Sequence, residues 1–449
     1  MKKNWLLILT VFTCVVCLTA LAACTKVDVP ASDGADNTAQ QTSTPVEPQE
    51  KVRAQAAADE QLNALADYTF TVGTSESASV QAREGDADMY IVAHGETEDK
   101  LIYVYQDISY DEGSCYRYVD VYMPTAKEKL DPETPVFLYL HGGGWVAGSR
   151  KDEQKSLMPY LASTGMVVVS MEYALWFGLN QMESTPLGVY KWESVGFMKI
   201  LDIVLKNEHP VSVNDQQADI TACLTFLRDS YLPSLGLTAT NIGIGGYSAG
   251  GHLSSLYAYK NASQSPIPIA YLMDLVGPVK LLDENYLRLL DMLTGHLEDA
   301  PAEDVQEVLD IFTPLLEDLA GPLASILGEE EPVNIATEEG YQHALEAIKA
   351  FQPIDYLDEN SVPTIICYAR QHDDIPIAEA LFECEFDDFI PITIYTSILR
   401  KLGEVHNVCN CKLFENATHN TIGKNQDSCK WMAANVSAFA SIYCTYRAA

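Results

Sequence analysis

Thr240-Asn241-Ile242-Gly243-Ile244-Gly245-Gly246-Tyr247-Ser248-Ala249-Gly250-Gly251-His252-Leu253 is the stretch that decides the architecture. Its first half is a short apolar run punctuated by glycine, the pattern of a parallel strand buried on both faces. Its second half continues through Ser254-Ser255-Leu256-Tyr257-Ala258-Tyr259 and reads as a helix that begins with small residues. Between them Gly246-x-Ser248-x-Gly250 places a serine on a sharp strand-to-helix turn. The backbone there is strained, and side chains on the serine's neighbours would strike the strand and the helix. The helix N-terminus beneath the serine brings the positive end of a dipole to the reacting centre.

A second glycine-rich stretch lies upstream. Pro135-Val136-Phe137-Leu138-Tyr139-Leu140 is a continuous apolar run, so a buried central strand, and His141-Gly142-Gly143-Gly144-Trp145 follows it. Three consecutive glycines contribute nothing to packing; they let backbone N–H groups swing toward a ligand. Alone they would mean a flexible turn. With G-x-S-x-G downstream they read as the oxyanion loop that partners the serine.

A serine needs a base, and the base an orienting acid. Sites of this kind carry them in the chain order Ser, acid, His. The late strand Pro363-Thr364-Ile365-Ile366-Cys367-Tyr368 runs into Ala369-Arg370-Gln371-His372-Asp373-Asp374-Ile375-Pro376. Asp373 is the candidate acid and Asp374 its immediate rival. The last strand, Cys411 to Glu415, leads to Asn416-Ala417-Thr418-His419-Asn420, so His419 is the candidate base. His406 precedes that strand. His141 reads as a brace of the oxyanion loop, and His252 as a packing or hydrogen-bonding residue.

In these residues the chain resembles the serine esterases of the α/β-hydrolase superfamily. The branch is the one carrying HGGG and GxSAGG, the hormone-sensitive-lipase-like esterases and their bacterial acyl-esterase relatives. The resemblance rests on Val119-Asp120-Val121-Tyr122-Met123-Pro124, 141–145, 246–253, Ser361-Val362-Pro363-Thr364, Asp373 and His419, and spans residues 100 to 445 with insertions. It implies an α/β fold with a mostly parallel central sheet and helices on both faces. It implies Ser248 as nucleophile, Asp373 as acid and His419 as base, with the N–H groups of Gly143, Gly144 and Ala249 as oxyanion hole. Trp145 and Tyr247 are the candidate substrate contacts. No metal or organic cofactor is implied, and the favoured reaction is ester hydrolysis. An arylformamidase or peptidase would use the same triad, and a silent relative would serve surface binding. Two departures stand out. Tyr368-Ala369 replaces the usual aromatic-glycine pair, and the family's acid is followed by two residues and then Val-Pro, whereas Asp373-Asp374-Ile375-Pro376 is one residue short.

The N-terminus reads as an export signal. Lys2 and Lys3 precede an apolar run from Trp5 to Ala20, and Leu21-Ala22-Ala23-Cys24 resembles a bacterial lipobox. The expected organisation is a signal peptide over 1–23, a lipidated Cys24 with a flexible tether over 24–53, and a catalytic domain over 54–449. The protein would then sit in the cell envelope, held by lipid at Cys24 to the outer face of a bacterial membrane or in the periplasm. The 63 acidic and 28 basic residues give a formal charge of −35, which argues against nucleic acid and against anionic lipid as partners. Eleven cysteines are present; those outside the leader permit pairing in an exported protein, and the four between 409 and 444 point to a C-terminal bridge. His406, Cys409, Cys411 and Cys429 fit no common zinc spacing.

Two insertions are expected to form a cap over Ser248 at the carboxyl ends of the strands, where ligands bind in such sheets. The first, 174–209, carries Trp176, Phe177, Tyr190, Trp192 and Phe197, which suit either an acyl or aryl pocket or a packed hinge. The second, 281–351, is acidic and helical, with stripes at Tyr286, Leu289, Leu290, Leu293 and Leu297 and at Val308, Ile311, Leu315, Leu316 and Leu319. An acidic cap suits small or medium soluble esters better than lipid interfaces.

Overall fold

The computed structural model describes residues 49–65, 69–73, 87–94, 100–182, 185–191, 197–288, 318–372 and 386–447. Its strands are β1 (Thr69–Gly73), β2 (Met89–His94), β3 (Lys100–Ser109), β4 (Tyr118–Met123), β5 (Val136–Leu140), β6 (Val167–Met171), β7 (Ile242–Tyr247), β8 (Ile269–Leu275), β9 (Thr364–Ala369) and β10 (Cys409–Phe414). Its main helices are α1 (Gln49–Leu65), α2 (Leu157–Ser163), α3 (Phe197–Lys206), α4 (Val213–Phe226), α5 (Ala249–Leu256), α6 (Ala320–Leu327), α7 (Glu338–Lys349), α8 (Ile392–Glu404) and α9 (Gln426–Tyr443). One sheet holds all ten strands, in the order β1-β2-β3-β4-β6-β5-β7-β8-β9-β10. β1 to β4 and the β4–β6 pair are antiparallel; every pairing from β6 across to β10 is parallel.

The apolar runs explain the parallel part. β5, β6, β8 and β9 are buried at every residue, because helices cover both faces and no position needs a polar side chain. Edge strand β10 differs, exposing Cys411 and Lys412. β7 lies in mid-sheet between β5 and β8, with Leu140 opposite Gly246 and Leu275 opposite Tyr247. The chain winds outward in both directions from this point, and the crevice left at the carboxyl ends is where such sheets place their sites. α4 starts at a capping box: Ser212 Oγ accepts the Asp215 N–H (3.2 Å) and Asp215 Oδ2 accepts the Ser212 N–H (2.8 Å). It buries Ile220, Cys223 and Leu224.

Both insertions leave from carboxyl strand ends, the first after β6 and the second after β8. They meet, because α6 packs against both α7 and α3. Trp192, the stripe from Leu289 to Leu316, the leader with Cys24, and the candidate acids Asp373 and Asp374 lie outside the described residues.

Two expectations change. The tether was expected through residue 53, but α1 already begins at Gln49 and packs along α9, burying Ala54, Ala58 and Leu65. Alanine and glutamine favour the helix, and small residues one turn apart let two helices approach closely. No disulfide joins Cys409, Cys411, Cys429 or Cys444 among the described residues. Cys429 is sealed inside the fold while Cys411 is exposed on the edge strand.

Candidate active site

Ser248 sits between β7 and α5 with φ 53° and ψ −117°, a conformation an L-residue holds only when its surroundings impose it. The surroundings are hydrogen bonds on both sides. The Ser248 N–H donates to Leu275 O (2.8 Å), and the His252 N–H donates to Ser248 O (2.9 Å). A Cβ on Gly246 would stand 2.3 Å from the Gly250 carbonyl, and one on Gly250 would stand 2.2 Å from Leu140 O. β7, the first turn of α5 and the end of β5 therefore touch backbone to backbone, which is why the motif needs glycine.

His419 opens a short helical turn, His419–Ile422, beyond β10. Its Nε2 lies 2.9 Å from Ser248 Oγ, and its Nδ1 lies 3.1 and 3.2 Å from the two carboxylate oxygens of Asp387. A ring nitrogen facing an acid-only acceptor carries the proton, so Nδ1–H donates to Asp387 and Nε2 is left to accept from the serine. Asp387 is fully buried and accepts the N–H groups of Ile390 (2.8 Å) and Phe389 (3.4 Å), while the His419 N–H donates to Asp387 O (2.8 Å). Burial pushes the Asp387 carboxyl above its ordinary range, against the pull of His419 and these N–H donors.

The acid facing the base is therefore Asp387 rather than Asp373. Asp387 is carried by the described stretch 386–391, where Phe386 bridges to Pro391. A signal for this was present. Asp387-Asp388-Phe389-Ile390-Pro391 has two residues and then an Ile-Pro pair after the acid, the spacing that Asp373 lacked.

The oxyanion loop packs on the elbow: a Cβ on Gly142 would meet the Tyr247 ring at 2.6 Å. Gly143 (φ 115°), Gly144 (φ 58°) and Trp145 (φ 62°) turn left-handed in succession, and Gly143 O accepts the N–H of Ala147 (2.9 Å). This coil leaves Gly143 and Gly144 partly exposed, and Ala249 supplies the first N–H of α5, a group with no acceptor inside its own helix.

Among the described residues, Trp145 and Tyr247 are held by contacts within the protein. The Trp145 ring is buried, stacks on Trp176 (5.0 Å) and donates through Nε1 to His252 Nδ1 (3.2 Å). Tyr247 donates its hydroxyl to the His419 carbonyl and stacks on the His419 ring (5.4 Å). Phe389 closes the other side of that ring at 5.0 Å. Trp176 and Phe177 are likewise buried, so this end of the first insertion is a packed hinge.

A carboxylate invisible to motif reading fixes the loop. His141 Nδ1 donates to Gly142 O (2.7 Å), and its Nε2 lies 3.3 Å from Glu172 Oε1, off the hydrogen-bond axis. Glu172 Oε2 accepts the Arg150 N–H (3.1 Å) and Nη1 (3.2 Å). Arg150 is fully buried; its Nε donates to Asp120 Oδ1 (2.9 Å) and its Nη2 to Asp107. Glu172 thus ties the start of the loop to its end. Burial opposes a charge on His141, but the Glu172 carboxylate, Asp152 and the Gly142 carbonyl together outweigh it and the His141 pKa is raised.

Comparison with known proteins is consistent with this picture. The chain matches the family model described as BD-FAE over residues 119–178 and 203–382, more than half of its length. No curated protein matches it. Solved structures similar to it include a truncated carbohydrate esterase from gut microbiota (14% identity, TM-score 0.45, 75% of this chain and 96% of that one). An inhibited esterase B from Lactobacillus rhamnosis is also similar (16% identity, TM-score 0.46, 88% and 96%). So is an esterase from Pyrobaculum calidifontis (16% identity, TM-score 0.41, 88% and 94%).

Proposed function

The chain belongs to the BD-FAE family of esterase-like α/β-hydrolases and is a serine hydrolase of the carboxylesterase kind; on that premise we propose that it cleaves small or medium acyl or aryl esters through an acyl-enzyme, at the cell surface. The observation that carries the mechanism is the line from Asp387 through His419 Nδ1 and Nε2 to Ser248 Oγ, with a closing contact of 2.9 Å.

Ser248 Oγ attacks the ester carbonyl as His419 Nε2 takes its proton. Asp387 holds the imidazole in the productive tautomer and stabilises its cation. The N–H groups of Gly143, Gly144 and Ala249 receive the oxyanion, a contribution of roughly 3–4 kcal/mol per well-placed donor. His419 returns the proton to the leaving alkoxide. Water then attacks the acyl-enzyme with His419 again as base. Acidity across 281–351 suits soluble esters better than a lipid interface. Surface location rests on Leu21-Ala22-Ala23-Cys24; among the described residues no helix is long and apolar enough to cross a membrane.

The test is hydrolysis of p-nitrophenyl esters from acetate to long acyl chains, with Ser248→Ala beside the wild type. Activity lost in the variant supports the serine mechanism, and the chain-length optimum sizes the acyl site. No turnover of any ester, with a fluorophosphonate failing to label Ser248, would overturn it. Radiolabelled palmitate incorporated in cells and lost in Cys24→Ser tests the anchor.

A further inference from the structure

The segment inserted between β8 and β9 is rooted at both ends, and each root touches a different part of the catalytic machinery. At its entrance Asp283 is fully buried. Its Oδ1 accepts the Thr393 hydroxyl (2.8 Å) and Asn285 Nδ2 (2.9 Å), and its Oδ2 accepts Lys280 Nζ (3.1 Å). One turn on, the Tyr286 hydroxyl donates to Phe389 O (3.0 Å). Phe389 is in the loop that carries Asp387, and its own N–H is one of the two on the Asp387 carboxylate. Thr393 lies in the first turn of α8, directly after that loop.

At its exit Phe351 O accepts His252 Nε2–H (2.8 Å), and His252 Nδ1 accepts Trp145 Nε1–H (3.2 Å). These two bonds fix one neutral tautomer, and burial lowers the His252 pKa to about 4. Trp145 directly follows the oxyanion glycines. The roots are also joined to each other, since the Leu282 N–H donates to Gln352 Oε1 (2.8 Å).

We infer that the inserted segment positions the catalytic acid, with Tyr286 and the Asp283–Thr393 pair as positioning residues for Asp387. The inference rests on the Ser248–His419–Asp387 reading. The physical need is plain. β9 ends at Ala369, far along the chain from Asp387, so no strand end holds this acid. Asp388 beside it has φ 86°, a conformation that the bonds around it must impose. Asp387 orients the base only if residues 386–393 keep their place. The hydroxyls of Tyr286 and Thr393 attach that stretch to the rooted insertion, whose far end supports the oxyanion loop through His252 and Trp145. None of these side chains touches the reacting atoms.

The test uses the full-length protein and p-nitrophenyl acetate, a substrate too small to engage much of a cap. Tyr286→Phe and Thr393→Val each remove one hydroxyl; Thr393→Ser keeps it; Asp387→Asn is run beside them. The inference expects kcat to fall roughly 3- to 10-fold in Tyr286→Phe and Thr393→Val, the size of one lost hydrogen bond, with KM and melting temperature little changed. Thr393→Ser should retain wild-type kcat. Wild-type kcat in both hydroxyl-less variants overturns the inference, as does a loss of activity that only follows a loss of folded protein. Asp387→Asn as active as wild type would instead overturn the triad assignment beneath it.

Discussion

Asp274 is predicted to be a neutral carboxylic acid at pH 7, and its removal should flatten the pH dependence of stability. It is fully buried near the end of β8, opposite Gly246 of the elbow. Its Oδ1 accepts the Gly277 N–H (2.9 Å), and its Oδ2 stands 3.4 Å from the Tyr368 hydroxyl. That hydroxyl also makes a short bond to the Gly277 carbonyl. A phenol has one hydrogen, and a carbonyl can only accept, so the proton shared with Asp274 belongs to the carboxyl. Burial is the cause, and it raises the pKa from 3.8 to about 8. For an acid with a raised folded-state pKa, the stability it contributes is fully present below the unfolded value and is lost as pH rises toward about 8. Between pH 5 and 7 the unfolded chain has released this proton and the folded chain has kept it. Stability then falls by roughly 1 kcal/mol per pH unit, or on the order of 3 kcal/mol over the interval. Asp274→Asn keeps the acceptor for Gly277 and a donor for Tyr368, and cannot titrate. Urea unfolding of both proteins at pH 5, 6 and 7, at equal m, should show the wild type losing that amount relative to the variant, with kcat within about twofold. Parallel pH profiles for the two proteins would refute the reasoning.

Asp387→Asn should lower kcat by roughly 10²–10⁴, while Asp373→Asn stays within about twofold, as read from p-nitrophenyl acetate turnover. Glu172→Gln leaves Arg150 and His141 short of a buried charge partner; roughly 2–4 kcal/mol of unfolding free energy should be lost, with a fall in kcat as the oxyanion loop loosens, checked by urea titration and steady-state rates. Gly143→Ala puts a methyl 2.0 Å from Ala147 O at φ 115°, so kcat should drop at least about 10²-fold as the N–H groups are displaced.

The parts of the site legible in the sequence are those set by local backbone demands. Gly246-x-Ser248-x-Gly250 and the 142–144 glycines announce themselves because no other residue fits where strand, loop and helix backbones touch. The long apolar runs of β5 to β9 are legible for a related reason, since a strand covered on both faces has no polar side to hide. His419 follows from its place after the last strand. Asp387 is hidden by its distance along the chain from β9, although the Ile-Pro spacing after it marks it. Glu172, Arg150 and Asp120 form their network only after β3, β4 and β6 are side by side, and no short-range pattern reveals such a contact. The α1 interface escaped because it is built on Ala54 and Ala58, whose value lies in being small. Adjacency in sequence does not say what a ring touches: Trp145 packs on Trp176 and bonds His252, and Tyr247 bonds the His419 carbonyl and stacks on its ring.

The course of α1 has a bearing on how the enzyme meets the world. Glu50 and Arg53 lie close enough to Tyr443 to act on its hydroxyl, and Tyr443 O accepts Asn241 Nδ2 (2.9 Å) just before β7 begins. Ser248 stands past the opposite end of that same strand, and the 18 residues of α9 run roughly 27 Å from the neighbourhood of the base down to Tyr443. The polypeptide ahead of Gln49 therefore joins the body at the foot of the strands, while esters are cut at the head. On the proposed anchor at Cys24, the tether would therefore meet the body at the end away from Ser248, leaving the cutting face free of its own attachment.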